Sequence, residues 1–336
     1  MALRATVRQS RSVGLRRAQG PDGGLSASRA AYVGGCAATS NTKAGQRFGI
    51  PISGTHAHSW VMAFDSELDA FRAYATSMPN NVVFVIDTYD TLQGARNAVE
   101  VGRELRGAGH ELVGVRIDSG DLAWLSKRVR SILDEGGFPD AKIVASNELD
   151  EHLIASLKEQ GAAIDVWGVG TKLATSWDQP ALGGVYKLSA FKRAGGEWEP
   201  RIKLSEQTAK VTTPGVLGVR RYRDSLGGPA GDMVYEESSP PGREAVMVDP
   251  SDATRRKAFS ERHSFTELLV PVFRGGTRVY ESPCIEEVRA RSLASVGELD
   301  SSITRFLNPH VYPVGLEEGL NDLRTVLVRE ARGQGT

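Results

Sequence analysis

From Asn81 to Trp167, short apolar runs rich in β-branched residues alternate with stretches whose apolar positions recur at helical spacing. The runs predict strands at Val82–Ile86, Leu112–Ile117, Lys142–Ala145 and Ile164–Trp167. The stretches between them predict helices starting near Thr91, Asp121 and Glu148, the first two stopped by Gly107 and Gly136. Strand and helix in alternation are the βαβ pattern of a parallel sheet. A polar or glycine-rich group follows each strand: Asp87-Thr88-Tyr89-Asp90, Asp118-Ser119-Gly120-Asp121, Ser146-Asn147-Glu148 and Gly168-Val169-Gly170-Thr171. In a parallel barrel these are the strand ends that carry active sites. Asp, Ser and Asn at helix starts also serve as caps, and Asp90, Ser146 and Asn147 are read mainly in that role. Asp118 and Asp121, next to Arg116, offer a corner for a cation or a ribose that capping alone does not require.

After Tyr186 the pattern shortens. Strands are expected at Val185–Phe191 and Pro200–Glu206 around the turn Arg193–Glu197, and the Gly/Pro-rich, charged stretch Arg223–Glu244 reads as a long surface loop. Leu268–Phe273, Arg278–Tyr280 and a helical tail at Leu316–Ala331 are assigned to a second, smaller layer. The expected organisation is an N-terminal segment over 1–52, an α/β barrel core over 53–190, and over 191–336 the remaining barrel strands with a smaller mixed domain.

Bulk properties narrow the function. A chain of 336 residues, 40% hydrophobic, can bury a full core. Its 41 basic and 41 acidic residues cancel, so no global field draws it to nucleic acid. No apolar run approaches the roughly 18 residues of a membrane helix. Cys36 and Cys284 are far apart and fit free thiols in a reducing, cytoplasmic setting, with neither a disulfide nor a zinc site expected. Met1–Gly20 is rich in Arg and lacks acids, as transit peptides do, but it runs directly into the site segment, which a cleaved leader should not contain.

The candidate chemistry is densest at Ser53-Gly54-Thr55-His56-Ala57-His58-Ser59. Small residues let a ligand approach the backbone, and an imidazole can act as base or nucleophile near neutral pH. Between Gly23 and Phe64 there is no Asp or Glu, whereas Arg29, Lys43 and Arg47 lie inside that stretch and Arg16 and Arg17 just before it. The site is therefore expected to hold an anion rather than a metal.

Four motifs in order, Gly14-Leu15-Arg16-Arg17-Ala18-Gln19-Gly20, Gly54-Thr55-His56-Ala57-His58-Ser59, Val115-Arg116-Ile117-Asp118-Ser119-Gly120-Asp121 and Gly168-Val169-Gly170-Thr171, resemble the nicotinate phosphoribosyltransferase family, and the likeness runs to the tail segment Asn308–Gly315. The resemblance implies an irregular parallel α/β barrel with a smaller mixed α+β domain, and a homodimer across which the site is completed. It implies transfer of phosphoribosyl from phosphoribosyl diphosphate to nicotinate, with ATP hydrolysed through a phosphohistidine at His58. His56 is then a neighbour of the acting histidine. Thr55 and Arg116 match nicotinate contacts, Thr171 a contact to the donor; Arg16 and Arg17 wall the site for both anions, and the Gly168–Gly170 loop fits the donor's 5′-phosphate. Asp118 would steady the positive charge developing on ribose or position the ribose hydroxyls, and Asp121 would help hold Mg2+ bound chiefly by diphosphate. The family's Thr-Asp-x-Tyr signature and more than a hundred further residues usually precede Leu15; Met1–Val13 does not match them, so the smaller domain and a ring-stacking lid are expected to be truncated. Three readings follow: a working enzyme, a fragment of one, or a binding protein without turnover. A nicotinamide-using relative is disfavoured by the acid-free stretch, because an acidic group suited to an amide would repel a carboxylate.

Overall fold

The computed structural model describes residues 10–12, 15–206 and 211–333. The chain forms two compact units, one running to Leu182 and taking in Cys284–Leu293, the other comprising Gly183–Pro283 and the residues from Ala294 onward. Gly14 and the segment 1–9, with the leader-like composition, lie outside the described residues.

The first unit is built on a six-stranded sheet: β1 (Ser10–Ser12), β2 (Ala38–Thr39), β3 (Val83–Val85), β4 (Gly114–Ile117), β5 (Lys142–Ala145) and β6 (Val166–Val169), in the order β2-β1-β6-β5-β4-β3. Every pairing in it is parallel. This is the half-barrel of an α/β fold, with its helices carrying the chain from one strand to the next. Parallel strands need apolar cover on both faces, and Phe84, Val115, Ile117, Ile143 and Ala145 are fully buried, packed with Val99, Leu105, Val129 and Leu133 from the helices. Helix Thr91–Gly107 begins at Asp90, whose carboxylate accepts from the Gln93 N–H at 2.7 Å, and it packs so closely on β3 that a Cβ at Gly94 would lie 2.1 Å from the Ile86 carbonyl oxygen. Helix Leu122–Glu135 starts at Asp121 and helix Glu151–Glu159 at Asp150.

Two boundaries differ from the sequence pattern for local reasons. The fourth strand starts at Val166, not Ile164, because Asp165 pairs with β5 through its own side chain, accepting the Ile143 N–H at 2.9 Å. The third helix starts at Glu151, not near Glu148: Asn147 and Glu148 have φ of 97° and 41°, and this left-handed kink delivers Leu149 fully buried into the core. Among the described residues the sheet draws its other two strands from the N-terminal segment and none from 191–336.

The second unit holds a hairpin, β7 (Ala190–Lys192) with β8 (Trp198–Pro200), turning at Gly195 with φ +75°; the first strand is shorter than expected, and the second lies earlier than the expected Pro200–Glu206, sharing only Pro200 with it. Its main sheet is mixed and uses β9 (Leu217–Arg223), β10 (Pro229–Glu236), β11 (Ala245–Asp249), β12 (Asp252–Phe259), β13 (Ser264–Glu267) and, beyond the small hairpin β14 (Phe273–Arg274) and β15 (Thr277–Arg278), β16 (Val314–Glu317). The order is β12-β11-β16-β10-β9-β13. The expected loop at Arg223–Glu244 is thus corrected: its middle is an inner strand, with Gly231, Met233 and Tyr235 buried in alternation. Tyr222, Met233, Met247 and Phe259 form this unit's core, and helix Glu318–Ala331 follows β16 directly.

Candidate functional site

The cleft opens at the carboxyl ends of the parallel strands, all within the first unit. Its centre is Arg116 on β4. The guanidinium donates from Nε to Ser146 Oγ at 2.8 Å and from Nη1 to Thr55 Oγ1 at 2.9 Å, and Nη2 lies 3.1 Å from Asp118 Oδ2. Ser146 Oγ donates in turn to Asp118 Oδ1 at 2.5 Å. Burial alone would raise the Asp118 carboxyl, but the Ser146 hydrogen bond and the Arg116 charge outweigh it and hold the group below the usual carboxylate range. Asp118 is therefore an anion with a fixed orientation.

His58 opens the short helix His58–Val61 beside this junction. Its Nε2 is 3.6 Å from Asp118 Oδ2 and 3.9 Å from Asp87 Oδ1, and its Nδ1 is 3.1 Å from Thr88 Oγ1. Asp87, at the end of β3, has a buried carboxylate. Oδ2 accepts the Asp118 N–H and the Ser119 hydroxyl, each at 2.7 Å, while Oδ1 has no hydrogen-bond partner among the described residues and lies 3.9 Å from the imidazole Nε2. Two carboxylates on the Nε2 side favour a proton there and leave the lone pair on Nδ1.

A cleft of about 300 Å³ extends from this cluster, lined by Arg11, Arg16 and Arg17, by the Ser53–Thr55 segment, and by the ends of β4, β5 and β6. Its charges do not cancel. Arg116 is matched by Asp118, and Glu148 accepts a hydrogen bond from Thr171 at 3.0 Å. Arg11 donates to Ser53 Oγ, and among the described residues Arg11, Arg16 and Arg17 form no ion pair with a carboxylate. Three guanidinium groups without carboxylates define a pocket for a ligand with more than one negative charge.

The structure thus brings Thr55, His58, Arg116 and Asp118 into direct contact or close approach, and sets Arg16, Arg17, Gly168, Gly170 and Thr171 along the same cleft. Asp121 stands apart: its carboxylate caps helix Leu122–Glu135 by accepting the Trp124 N–H at 3.0 Å, and it does not line the cleft. Asp90 caps as expected, whereas Ser146 and Asn147 do not. Ser146 binds Arg116 and Asp118, Asn147 lines the cleft, and the cap is Asp150, which accepts the Leu153 N–H at 2.7 Å. Sequence reasoning missed Arg11, and it named Asp87 and Glu148 only within the polar groups after their strands, with no role of their own. Asp87 is the first polar residue after its strand, which was the available signal; Arg11 lies in a stretch with no motif.

A half-barrel whose strand ends present a guanidinium-lined cleft and a glycine-rich loop defines an α/β protein of the barrel class with a cationic cleft. The model of the nicotinate phosphoribosyltransferase (NAPRTase) family matches residues 16–213, and that of the nicotinate phosphoribosyltransferase C-terminal domain matches residues 218–324. The chain is 43% identical over 319 residues to the nicotinate phosphoribosyltransferase of Bacillus subtilis, covering 91% of this chain and 62% of that protein. It is 34% identical over 365 residues to the Dictyostelium discoideum enzyme, covering 92% and 61%. The crystal structure of human nicotinic acid phosphoribosyltransferase superposes with a TM-score of 0.80 at 28% identity, covering 97% of this chain and 73% of that one. The nicotinate-nucleotide pyrophosphorylase of Pyrococcus furiosus, at 21% identity and TM-score 0.63, shares the fold over 88% of this chain and 67% of its own. The chain belongs to the nicotinate phosphoribosyltransferase family. It spans about 62% of the Bacillus subtilis relative and 61% of the Dictyostelium discoideum one.

Proposed function

We propose that this chain carries the catalytic cleft of a nicotinate phosphoribosyltransferase, joining nicotinate to phosphoribosyl diphosphate to give nicotinate mononucleotide and diphosphate for NAD synthesis. The observation that carries this reading is the Arg116 junction, a guanidinium held by Thr55, Ser146 and Asp118 with an imidazole 3.6 Å from the same carboxylate. Thr55 and Arg116 would take the nicotinate carboxylate, while Arg16, Arg17 and the Gly168–Thr171 loop would take the donor's phosphates. As the C1–O bond to diphosphate breaks, positive charge grows on the ribose carbon and the pyridine nitrogen attacks it. Asp118, kept ionised by its partners, is placed to steady that charge.

ATP would enter through His58. Nδ1 attacks the γ-phosphorus, the bond to ADP breaks, and ADP leaves; water later hydrolyses the phosphohistidine to phosphate. Asp87 and Asp118 on the Nε2 side support this by stabilising the positive charge the ring gains when Nδ1 is phosphorylated. The extra charge at the cleft would order the donor, and its loss would let products leave.

Mg2+ would come with the donor. Among the described residues no group of three or more His, Cys, Asp or Glu side chains is disposed to hold a metal, Asp118 is engaged by Arg116 and Ser146, and Asp121 is a cap. Mg2+ would therefore arrive chiefly on diphosphate oxygens, with Asp121, whose carboxylate caps helix Leu122–Glu135, in a helping role only. Among the described residues no helix is long and apolar enough to cross a membrane. A homodimer completing the site remains part of this proposal on the family resemblance.

The test is formation of nicotinate mononucleotide by the purified chain from nicotinate, phosphoribosyl diphosphate and Mg2+, with and without ATP. ATP-stimulated product supports the full reading, and the His58→Ala variant should then form product at a rate ATP no longer changes. Product from nicotinamide but not nicotinate would overturn the substrate assignment, and binding without product would move the chain to a ligand-binding role.

A further inference from the structure

The parallel sheet has two edges, β2 and β3, and one short segment crosses between them. At one edge Ile52 forms a single parallel bridge to Thr39, and the Ser53 N–H donates to the Thr39 carbonyl at 3.0 Å. Four residues on, the segment reaches β3 through a side chain. The Val85 N–H donates to His56 Nε2 at 3.2 Å. Thr55, between these anchors, holds Arg116, and His58 lies just past them.

Val85 needs this contact. Its neighbour Ile86 donates its N–H to the Arg116 carbonyl at 3.1 Å, so by strand alternation the Val85 N–H points away from β4, off the edge of the sheet. Val85 is fully buried, and an edge N–H shut away from water must find an acceptor inside the protein. No strand pairs β3 on that side among the described residues, and the imidazole takes the place of a strand carbonyl.

We propose that His56 is a positioning residue whose neutral imidazole, accepting the Val85 N–H, closes the barrel seam and thereby fixes Thr55 and His58 over the cleft. Because a backbone N–H only donates, Nε2 must carry the lone pair, and the ring proton sits on Nδ1, 3.3 Å from the Ala57 carbonyl. Tyr74 of helix Glu67–Ser77 meets the ring edge-on at a centroid distance of 4.8 Å, with Phe71 and Phe84 at 6.0 and 6.3 Å. The charged and titratable groups near it are Tyr74, Arg116 and His58. Burial, the largest cause, outweighs the opposing hydrogen bond to the Ala57 carbonyl and, with smaller contributions from the Arg116 and His58 charges, depresses His56 to about 4. The folded chain thus refuses a proton that the unfolded chain binds below its ordinary value near 6.5. The stabilisation is complete above that value, declines as pH falls, and is lost by about 4, when protonation also breaks the seam.

The consequence for ligand rests on the proposed function, whereas the hydrogen bond does not, so the test reads both. His56→Gln keeps an acceptor that does not titrate; His56→Leu removes the acceptor at similar volume. Amide exchange at Val85, measured in the full-length chain at neutral pH, should be about tenfold or more faster in His56→Leu than in wild type, and within about threefold of wild type in His56→Gln. Denaturant midpoints from pH 6.5 to 4.5 should fall less in His56→Gln than in wild type. Nicotinate affinity should drop about tenfold in His56→Leu while that for phosphoribosyl diphosphate stays within about threefold. Equal Val85 exchange in all three proteins, or a glutamine variant as impaired as the leucine one, would overturn the proposal. If wild type binds no nicotinate, the functional reading fails and the exchange and stability measurements still decide on the seam.

Discussion

Arg116 presents its guanidinium between Thr55 and Ser146 with Asp118 alongside, so what it offers a ligand depends on all three partners. Removing it takes away one charge-assisted contact and releases Asp118 from the cation that helps keep it ionised. For Arg116→Ala we expect the KM for nicotinate to rise by about 10- to 100-fold, the equivalent of about 1.5–3 kcal/mol for a hydrogen bond to a charged group. The KM for phosphoribosyl diphosphate should move much less, because Arg16, Arg17 and the Gly168–Thr171 loop are untouched. Unaltered saturation by nicotinate would remove Arg116 from the acceptor site. Thr55, His58, Arg116 and Asp118 could be singled out from the sequence because they sit in dense motifs. Ser146 was assigned to capping instead, since a serine after a strand and before a helix has the same signature whether it caps or binds. Only the kink at Asn147 and Glu148, which hands the cap to Asp150, separates the two roles. Asp87 was hidden for a different reason: its importance lies in one oxygen left without a hydrogen bond, and sequence carries no record of that.

At the level of elements, strands β3 to β6 and the helices between them were legible because burial on both faces forces continuous apolar runs, and the Asp caps and Gly stops mark the helix ends. The inner strand β10 was not. It is bracketed by Gly227-Gly228 and by Pro240-Pro241-Gly242, begins with proline, and carries Asp232 at an inner position where Arg221 pairs with it at 2.7 Å. Punctuation and charge masked an alternation that only the neighbouring strands make sense of, a case of sheet context overriding local composition. Close approach of elements is likewise visible only in three dimensions. At Gly94 the missing side chain allows helix Thr91–Gly107 to lie against the end of β3, and a Cβ there would sit 2.1 Å from a backbone oxygen that cannot swing aside. Alanine normally favours a helix over glycine by about 1 kcal/mol, but overpacking of this kind costs about 1–3 kcal/mol and occasionally more. Gly94→Ala should therefore destabilise the first unit by about 1–2 kcal/mol net, read as a lower denaturant midpoint, and because Asp87 follows the displaced strand end it should also lower turnover. A stabilised variant would show that helix and strand can separate without loss.

The molecule as a whole joins two units with separate apolar cores, one centred on Phe84, Ile117 and Ile143 and the other on Tyr222, Met233 and Phe259. Chains of this kind need not unfold in one step. Every residue lining the arginine-rich cleft belongs to the first unit, so a ligand that fills it stabilises that unit directly. At a concentration about 100 times its dissociation constant, such a ligand adds roughly 2.7 kcal/mol to the folded state. In a unit of this size that is a rise of roughly 5–10 °C in midpoint, at about 2–4 °C per kcal/mol. Scanning calorimetry should accordingly resolve two components, with phosphoribosyl diphosphate and Mg2+ moving one upward and leaving the other near its ligand-free position. Identification of the shifted component follows from Gly94→Ala, which lowers the same transition, while a substitution in the second core such as Met233→Ala lowers the other. If the donor moved both components equally, the units would be thermodynamically coupled and the cleft could not be treated as the property of one of them. If it moved neither at concentrations that saturate related enzymes, the three guanidinium groups without a carboxylate partner among the described residues would have to be assigned to a different anion.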